Sequence, residues 1–372
     1  MTAPEGTEAA DADVSTDQGA TGNGGIPSIP YLVATLRDVA QRAGVHPATA
    51  SRALNPGTRS LVSEATAARV LEVARAVGYT PNPMARGLKT NRSSTVGVLI
   101  PDLTNPLFPP IVRGIEDTVQ ADGYTAVIAN SDNDRDKERL HFENMRSRQV
   151  DGFIMATAER DHPLIEDAIA ADVPIVLLNR TVESQKAFAV VGNDRAGAAI
   201  AVNHLADLGH TRIAHLVGPS RFSTAVARHE GFREAMTARG LTADPDLVIF
   251  GEAFTEEEGL RLFNSLLAKT DDFTAIFSGN DLLALGCYDG LKDHSMSCPG
   301  DISIVGYNDI PFLDKLNPPL TSIRLPHYEL GVEAGRLLLE RINDPVAHAR
   351  TILLEPELIV RGSTAPRRQP VA

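Results

Sequence analysis

The residues with the clearest chemical capacity sit within Thr35 to Asn55, TLRDVAQRAGVHPATASRALN. There Ala48, Thr49, Ser51 and Arg52 share the outward side of a helical pattern, small, hydroxylated and cationic groups able to enter a major groove. Two short helices must hold them. Leu36, Val39 and Ala40 recur at helical spacing on one face, Thr35 with Asp38 forms a variant capping box, and Gly44 supplies a tight turn. Pro47 fits the first position of the second helix, where its missing N–H costs nothing. Ala50, Ala53 and Leu54 then pack back on the first helix. The pattern is a helix-turn-helix, which makes DNA the expected partner; an ordinary αα-hairpin is the alternative this segment leaves open on its own.

A second group of polar residues follows a series of short apolar runs. Pro101-Asp102 to Phe108, Ser131–Asp134, Asn179-Arg180 and Asn193-Asp194 come first, then Arg228, Phe254, Gly279-Asn280-Asp281 and Tyr307-Asn308-Asp309. The apolar runs predict strands at 96–100, 125–129, 152–155, 175–178, 213–217, 275–277 and 302–305. Between them, the spacing predicts helices at 108–121, 137–148, 164–170, 196–208, 228–239, 255–268, 282–291 and 330–342. Such alternation means parallel sheets covered by helices on both faces. Two sets of strands predict two Rossmann-like lobes with a cleft between them, and open α/β sheets bind ligands at the carboxyl ends of their strands. Caps and turns are the competing use of polar residues at these positions.

Several sharper motifs fall away. Asp132, Asp134, Asp136 and Glu143 match positions 1, 3, 5 and 12 of a calcium loop, but Lys137 stands where the turn needs glycine. His204, His210 and His215 lack metal-ligand spacing on one helix. No Walker loop, dinucleotide glycine motif or nucleophile elbow occurs. We therefore expect no metal, no cofactor and no enzymatic activity. Cys287 and Cys298 make no disulfide framework.

The chain has 372 residues and a formal net charge of −13, long enough for two or three domains. The charge is uneven. Residues 31–92 hold nine basic side chains against three acidic ones, a net of +6, whereas residues 1–30 hold five acidic and no basic side chains. We expect that first stretch to be a disordered acidic tail without a secretory signal, and no apolar run is long enough to cross a bilayer. A cytoplasmic protein is expected, with a basic end that attracts phosphate and an acidic body that does not.

A third helix from Ser63 carries Ala67, Val70, Leu71, Ala74 and Val77 and stops at Gly78. TPNPMARGLKTNRSST follows Tyr79. Asn82 can cap and Pro83 fits a first turn, but Met84 to Lys89 make under two turns and are marginal alone in water. Headpiece, short basic hinge and long α/β chain together resemble the LacI/GalR family of transcription regulators, with Pro81-Asn82-Pro83, Ala85-Arg86 and Leu88-Lys89 matching its hinge; the resemblance runs from Thr35 to Arg361.

The resemblance implies a headpiece over 31–80, a hinge over 81–94 and a core over 95–366, of the two-lobed periplasmic-binding-protein type, with short tails at 1–30 and 367–372. It implies a repressor binding a palindromic operator as a homodimer, with no leucine heptad after Arg361 for a tetramer. The second helix would lie in the major groove, Pro47, Ala48, Thr49 and Arg52 facing base edges and Arg52 able to fork onto a guanine. Thr35, Ser51 and Arg59 would hold phosphates. Asn82, Arg86 and Lys89 belong to the hinge, from which Leu88 would wedge into the minor groove. Two departures stand out: His46 where the family usually has Ser, and Ala50 where it has a β-branched Val.

The same resemblance implies an effector pocket for a sugar, sugar phosphate or purine, a sugar being favoured. Arg228, Asn280 and Asn308, joined by Asn105, Asn179 and Asn193, offer donors and acceptors suited to vicinal hydroxyls. Phe108 and Phe254 would stack on a sugar face or a base. A ligand-binding protein of the periplasmic sugar-binding type, without operator recognition, is the alternative.

Overall fold

The computed structural model describes residues 34–80, 92–184 and 187–367. The expectations for the acidic tail and for Asn82, Arg86, Leu88 and Lys89 fall outside these residues. The chain divides between Asn82 and Pro83 into two compact units.

The first unit contains α1 (Leu36–Arg42), α2 (Pro47–Leu54) and α3 (Glu64–Ala76). Thr35 caps α1 through a reciprocal box: its hydroxyl accepts from Asp38 N at 3.3 Å, and Asp38 Oδ2 accepts from Thr35 N at 2.8 Å. Gly44 makes the turn at φ +64°, a conformation that costs glycine little. His46 does cap α2, its Nδ1 accepting from Ala48 N at 3.2 Å. A 3-10 helix, Pro56–Leu61, intervenes before α3 and was not foreseen. Val39, Ala40, Ala43, Ala50, Ala53, Ala67, Val70 and Ala74 form the buried cluster. Val73 packs against it, whereas Leu71, expected on that face, is half-buried and not part of it.

The second unit contains two six-stranded sheets. In the first lobe β1 (Thr95–Ile100), β2 (Thr125–Asn130), β3 (Gly152–Met155), β4 (Ile175–Leu178) and β5 (Phe188–Gly192) alternate with α4 (Phe108–Ala121), α5 (Arg135–Ser147) and α6 (Pro163–Ala170). The second lobe has β6 (Ile213–Val217), β7 (Val248–Phe250), β8 (Ala275–Ser278), β9 (Ser303–Asn308) and β10 (Thr321–Arg324), with α7 (Asp194–Asp207), α8 (Ser223–Ala238), α9 (Glu256–Lys269) and α10 (Asp281–Asp293). The chain then returns, α11 (His327–Asn343) packing on α4 and β11 (Thr351–Leu354) pairing with β5, before β12 (Glu357–Ile359) rejoins β10. It therefore crosses between the lobes three times.

The expected parallel sheets need one correction, since β12 pairs with β10 antiparallel. Five strands were not anticipated: β5, β7, β10, β11 and β12. Helix α8 begins five residues before the expected position 228, which places Arg228 in its second turn rather than at its start. Strand β9 runs on through Tyr307 and Asn308, so both belong to the strand and not to the loop after it. The calcium-like segment is a helix start: Asp134 caps α5, accepting from Asp136 N and Lys137 N at 2.8 and 2.9 Å, and Asp132 pairs with Lys137.

Candidate functional site

A cavity of about 270 Å³ opens between the lobes at the carboxyl ends of their parallel strands, the place this architecture reserves for ligands. Seven of the eight residues expected there line it: Asn105, Phe108, Asn179, Arg228, Phe254, Asn280 and Asn308. Asn193 does not. It caps α7, accepting from Ala196 N at 3.2 Å, and reaches Glu355 with its amide at 3.1 and 3.3 Å. Arg221, Phe222, Thr224, Ala253 and Thr255 also line the wall and went unmarked in the sequence. Arg221 and Phe222 lie in the loop after β6 and Ala253 and Thr255 after β7, so applying the strand-end rule to every strand would have found these four; Thr224 lies in the first turn of α8.

Fixed geometry holds the second lobe's side of the cavity. Arg228 is buried, donating from Nε to Asp194 Oδ1 at 2.8 Å and from Nη1 to the Gly279 carbonyl at 2.6 Å, with its guanidinium carbon 3.8 Å from the Tyr307 ring centroid. Burial pushes the Asp194 carboxyl up, and Arg228 opposes that shift. Asn280 caps α10, its Oδ1 accepting from Leu283 N at 2.9 Å, which leaves its amide N–H groups for another acceptor. Phe254 lies over Gly218, where a Cβ would come within 2.1 Å of its ring, and stacks near Phe222 at 6.1 Å between centroids.

Backbone strain and orphaned polar atoms concentrate at the same cavity. Asn308 and Asn179 adopt φ of 107° and 64°, in a region non-glycine residues rarely visit. Their Oδ1 atoms, and Nε of Arg180, are buried without a hydrogen-bond partner among the described residues. Such groups are costly unless something satisfies them.

The loop after β6 also ties the lobes together. Arg160 of the first lobe donates from its backbone to Arg221 O at 2.9 Å and from Nη1 to Ser220 O at 3.3 Å. Thr181 N donates to Ser223 Oγ at 2.9 Å, and Arg221 Nε pairs with Glu159 at 3.3 Å. One wall of the cavity is thus itself a contact between lobes.

In the first unit, Pro47, Ala48 and Arg52 are exposed on α2, while Thr49 and Ser51 are half-buried beside them. The capping box occupies the Thr35 hydroxyl, which also donates to Asp38 at 2.7 Å. Arg59 donates from Nε to Ala53 O at 3.0 Å, so it is anchored to the end of α2.

Residues 35–82 match the profile described as bacterial regulatory proteins of the lacI family, and residues 202–364 match a periplasmic binding protein-like domain. The chain is 34% identical to the HTH-type transcriptional repressor PurR of Photobacterium profundum, over 89% of this chain and 98% of that protein. It is also 34% identical to the ribose operon repressor of Escherichia coli (strain K12), over 89% and 100% of the two. A solved structure of the lac repressor dimer bound to operator and the anti-inducer ONPF is 26% identical and superposes with a TM-score of 0.78, covering 90% of this chain and 99% of that one. No described helix is long and apolar enough to cross a membrane. Helix-turn-helix, two-lobed core and these relatives agree: the chain belongs to the LacI family of bacterial transcriptional regulators, whose members bind DNA and are not enzymes.

Proposed function

We propose that the protein is a cytoplasmic repressor that binds a palindromic operator as a homodimer and responds to a small polar effector, a sugar in preference to a purine base. The cavity carries the effector half of this reading. Its orphaned Asn179 and Asn308 oxygens call for hydroxyl donors, and its Phe108 and Phe254 rings supply apolar faces. Arg52 would read a guanine from α2, with Pro47, Ala48 and Thr49 against neighbouring base edges. Thr35, Ser51 and Arg59 would meet phosphates; for Thr35 the backbone and capping geometry restrict that contact. The hinge residues Asn82, Arg86, Leu88 and Lys89 would engage the operator's centre, Leu88 in the minor groove.

Homodimerisation fits two edge strands. Val127 and Ile128 are exposed on β2, the edge of the first sheet, and Phe250 on β7, the edge of the second. Unpaired edges with apolar side chains invite a partner, and a two-fold axis would set one headpiece on each half-site. Selection of a site from a randomised DNA pool, followed by titration with sugars, sugar phosphates and purines, tests the reading. The expected result is a palindrome whose affinity one compound changes. Salt-sensitive, sequence-blind binding would overturn operator recognition. Replacing Val127 and Phe250 together by Asp should yield monomers by sedimentation and weaken binding to the full palindrome far more than to a half-site.

A further inference from the structure

We infer that the effector carries an anionic group, a phosphate ester or a carboxylate on a polyhydroxylated frame, and that Arg180 holds that group. The inference rests on the effector reading above and narrows it. Three guanidinium groups line the cavity. Arg228 is paired with Asp194 at 2.8 Å and Arg221 with Glu159 at 3.3 Å. Arg180 is the exception. It is only 7% exposed, its Nε has no hydrogen-bond partner among the described residues, and Nη1 reaches Asn133 Oδ1 at no better than 3.5 Å.

The guanidinium of Arg180 also lies against the Phe222 ring, whose centroid is 3.6 Å from the guanidinium carbon. A ring face compensates a cation partly, whereas a buried cation without a counter-charge is expensive. The two carboxylates of the cavity wall outside the Arg228 pair are committed elsewhere. Asp132 pairs with Lys137, and Asp102 accepts from Thr104 N and Oγ1 at 2.8 and 2.7 Å. Burial, reinforced by Arg221 and Arg228, pushes the Arg180 guanidinium down to about 9; Glu159 and Glu138 oppose that shift only partly, the first being paired with Arg135 and Arg221 and the second with His162. It is therefore the cation in the wall with the most to gain from an anion, and a phosphate or carboxylate accepts parallel bonds from a guanidinium fork. The neighbouring Asn179 Oδ1 would take a hydroxyl of the same ligand.

Calorimetry on the full-length chain tests this with matched compounds: ribose against ribose 5-phosphate, glucose against glucose 6-phosphate and gluconate, and inorganic phosphate as control. One anionic sugar should bind at least about tenfold more tightly than its neutral parent, the size expected of a charge-assisted bond. The phosphate and carboxylate arms decide which anion it is. In Arg180→Met that preference should vanish, the anionic sugar binding no more tightly than its neutral parent does to the same variant, and Arg180→Lys should keep part of it. A neutral sugar that binds as well as its anion overturns the inference and leaves the sugar reading standing, and so does a preference that survives in Arg180→Met. Phosphate binding as tightly as the sugar phosphate would overturn the polyhydroxylated part. If no sugar, neutral or charged, binds to protein that still recognises its operator, the sugar reading fails, and this inference with it. The comparison on the unaltered chain decides the matter even if a variant fails to fold.

Discussion

The two units are held together by different means. In the headpiece the buried cluster is two valines and six alanines. In the core Phe108, Phe153, Phe232, Phe263, Phe277 and Tyr307 are all fully buried, within clusters rich in Ile and Leu. Burial stabilises by about 25 cal/mol per Å² of apolar surface, so alanine contributes little for each residue fixed. A helical headpiece of this size is already close to marginal. What alanine supplies is close approach of helix backbones, and hence a fixed angle between α1 and α2. The part that meets DNA is held by fit, and the part that senses ligand by area.

The largest expected effect lies in the core. Arg228→Ala removes the cation opposite Asp194, stranding a buried carboxylate at a cost of about 3–5 kcal/mol. The core transition should fall steeply in calorimetry while headpiece amide shifts stay in place. Pairing Arg228→Met with Asp194→Asn should recover part of the loss. A single substitution within about 1 kcal/mol of the parent would mean that water reaches Asp194, and the contrast between the units would weaken.

Acid should separate the units next. Burial pushes His327 down to about 4 and His215 to about 3, both below the ordinary value of 6.5. The unfolded chain then binds more protons as pH drops below 6.5. Their contribution to core stability is complete above about 6.5 and is lost as pH falls toward 4 and 3. Asp281, pushed up to about 7 by burial, works oppositely: its contribution is complete below about 4 and is lost as pH rises through 7. His327→Gln should therefore flatten the acid limb of the core's melting curve, and Asp281→Asn should steepen it, each by up to a few kcal/mol. Profiles unchanged in both variants would show that neither group differs in protonation between folded and unfolded chains.

In the headpiece a smaller energy should have the larger consequence. Ala50 is fully buried between α1 and α3, and Ala50→Leu should overpack the cluster by about 1–3 kcal/mol. That is enough to unfold a marginal unit. Operator binding should disappear while ligand still raises the core's melting temperature. Retained operator binding would show the cluster to be slacker than its alanine content implies.

How much of this was legible follows from the range of the interactions. The headpiece could be read because its cap, turn and apolar spacing fall within about 20 residues, and the 3-10 helix was missed because nothing periodic marks it. In the core, continuous apolar runs revealed the central strands. Strand β10 was hidden because buried Thr321 and Ser322 look polar; the Thr321 hydroxyl accepts from Arg361 N at 2.9 Å and the Ser322 hydroxyl donates to Asp281 Oδ1 at 2.6 Å, partners 40 and 41 residues away. Strands β11 and β12 lie at sheet edges and are incompletely buried. Six of the seven cavity-lining residues could be found because strand ends are predictable positions; Arg228, inside α8, rested on the family resemblance. Asn193 follows a strand end too, but there the chain leaves for the other lobe and the side chain caps α7. The isolation of Arg180 could not be read, since it depends on where Asn133 and Phe222 come to lie, more than 40 residues away on either side.

The smallest effect tests whether fit rather than area governs the headpiece. His46 caps α2 through one imidazole nitrogen, at a helix end where serine or asparagine does better. The cap buries almost nothing, because His46 and Ala48 are both exposed. His46→Ala should nevertheless cost about 1 kcal/mol by freeing the Ala48 N–H, and His46→Ser should restore or exceed the parent's stability. If fit governs, amide exchange in α2 of the full chain should speed up in the alanine variant and slow in the serine variant, with operator affinity changing in the same order. If both variants matched the parent in exchange and affinity, the start of α2 would be fixed by Pro47 and the alanine packing alone, and the cap would have no part in presenting Arg52.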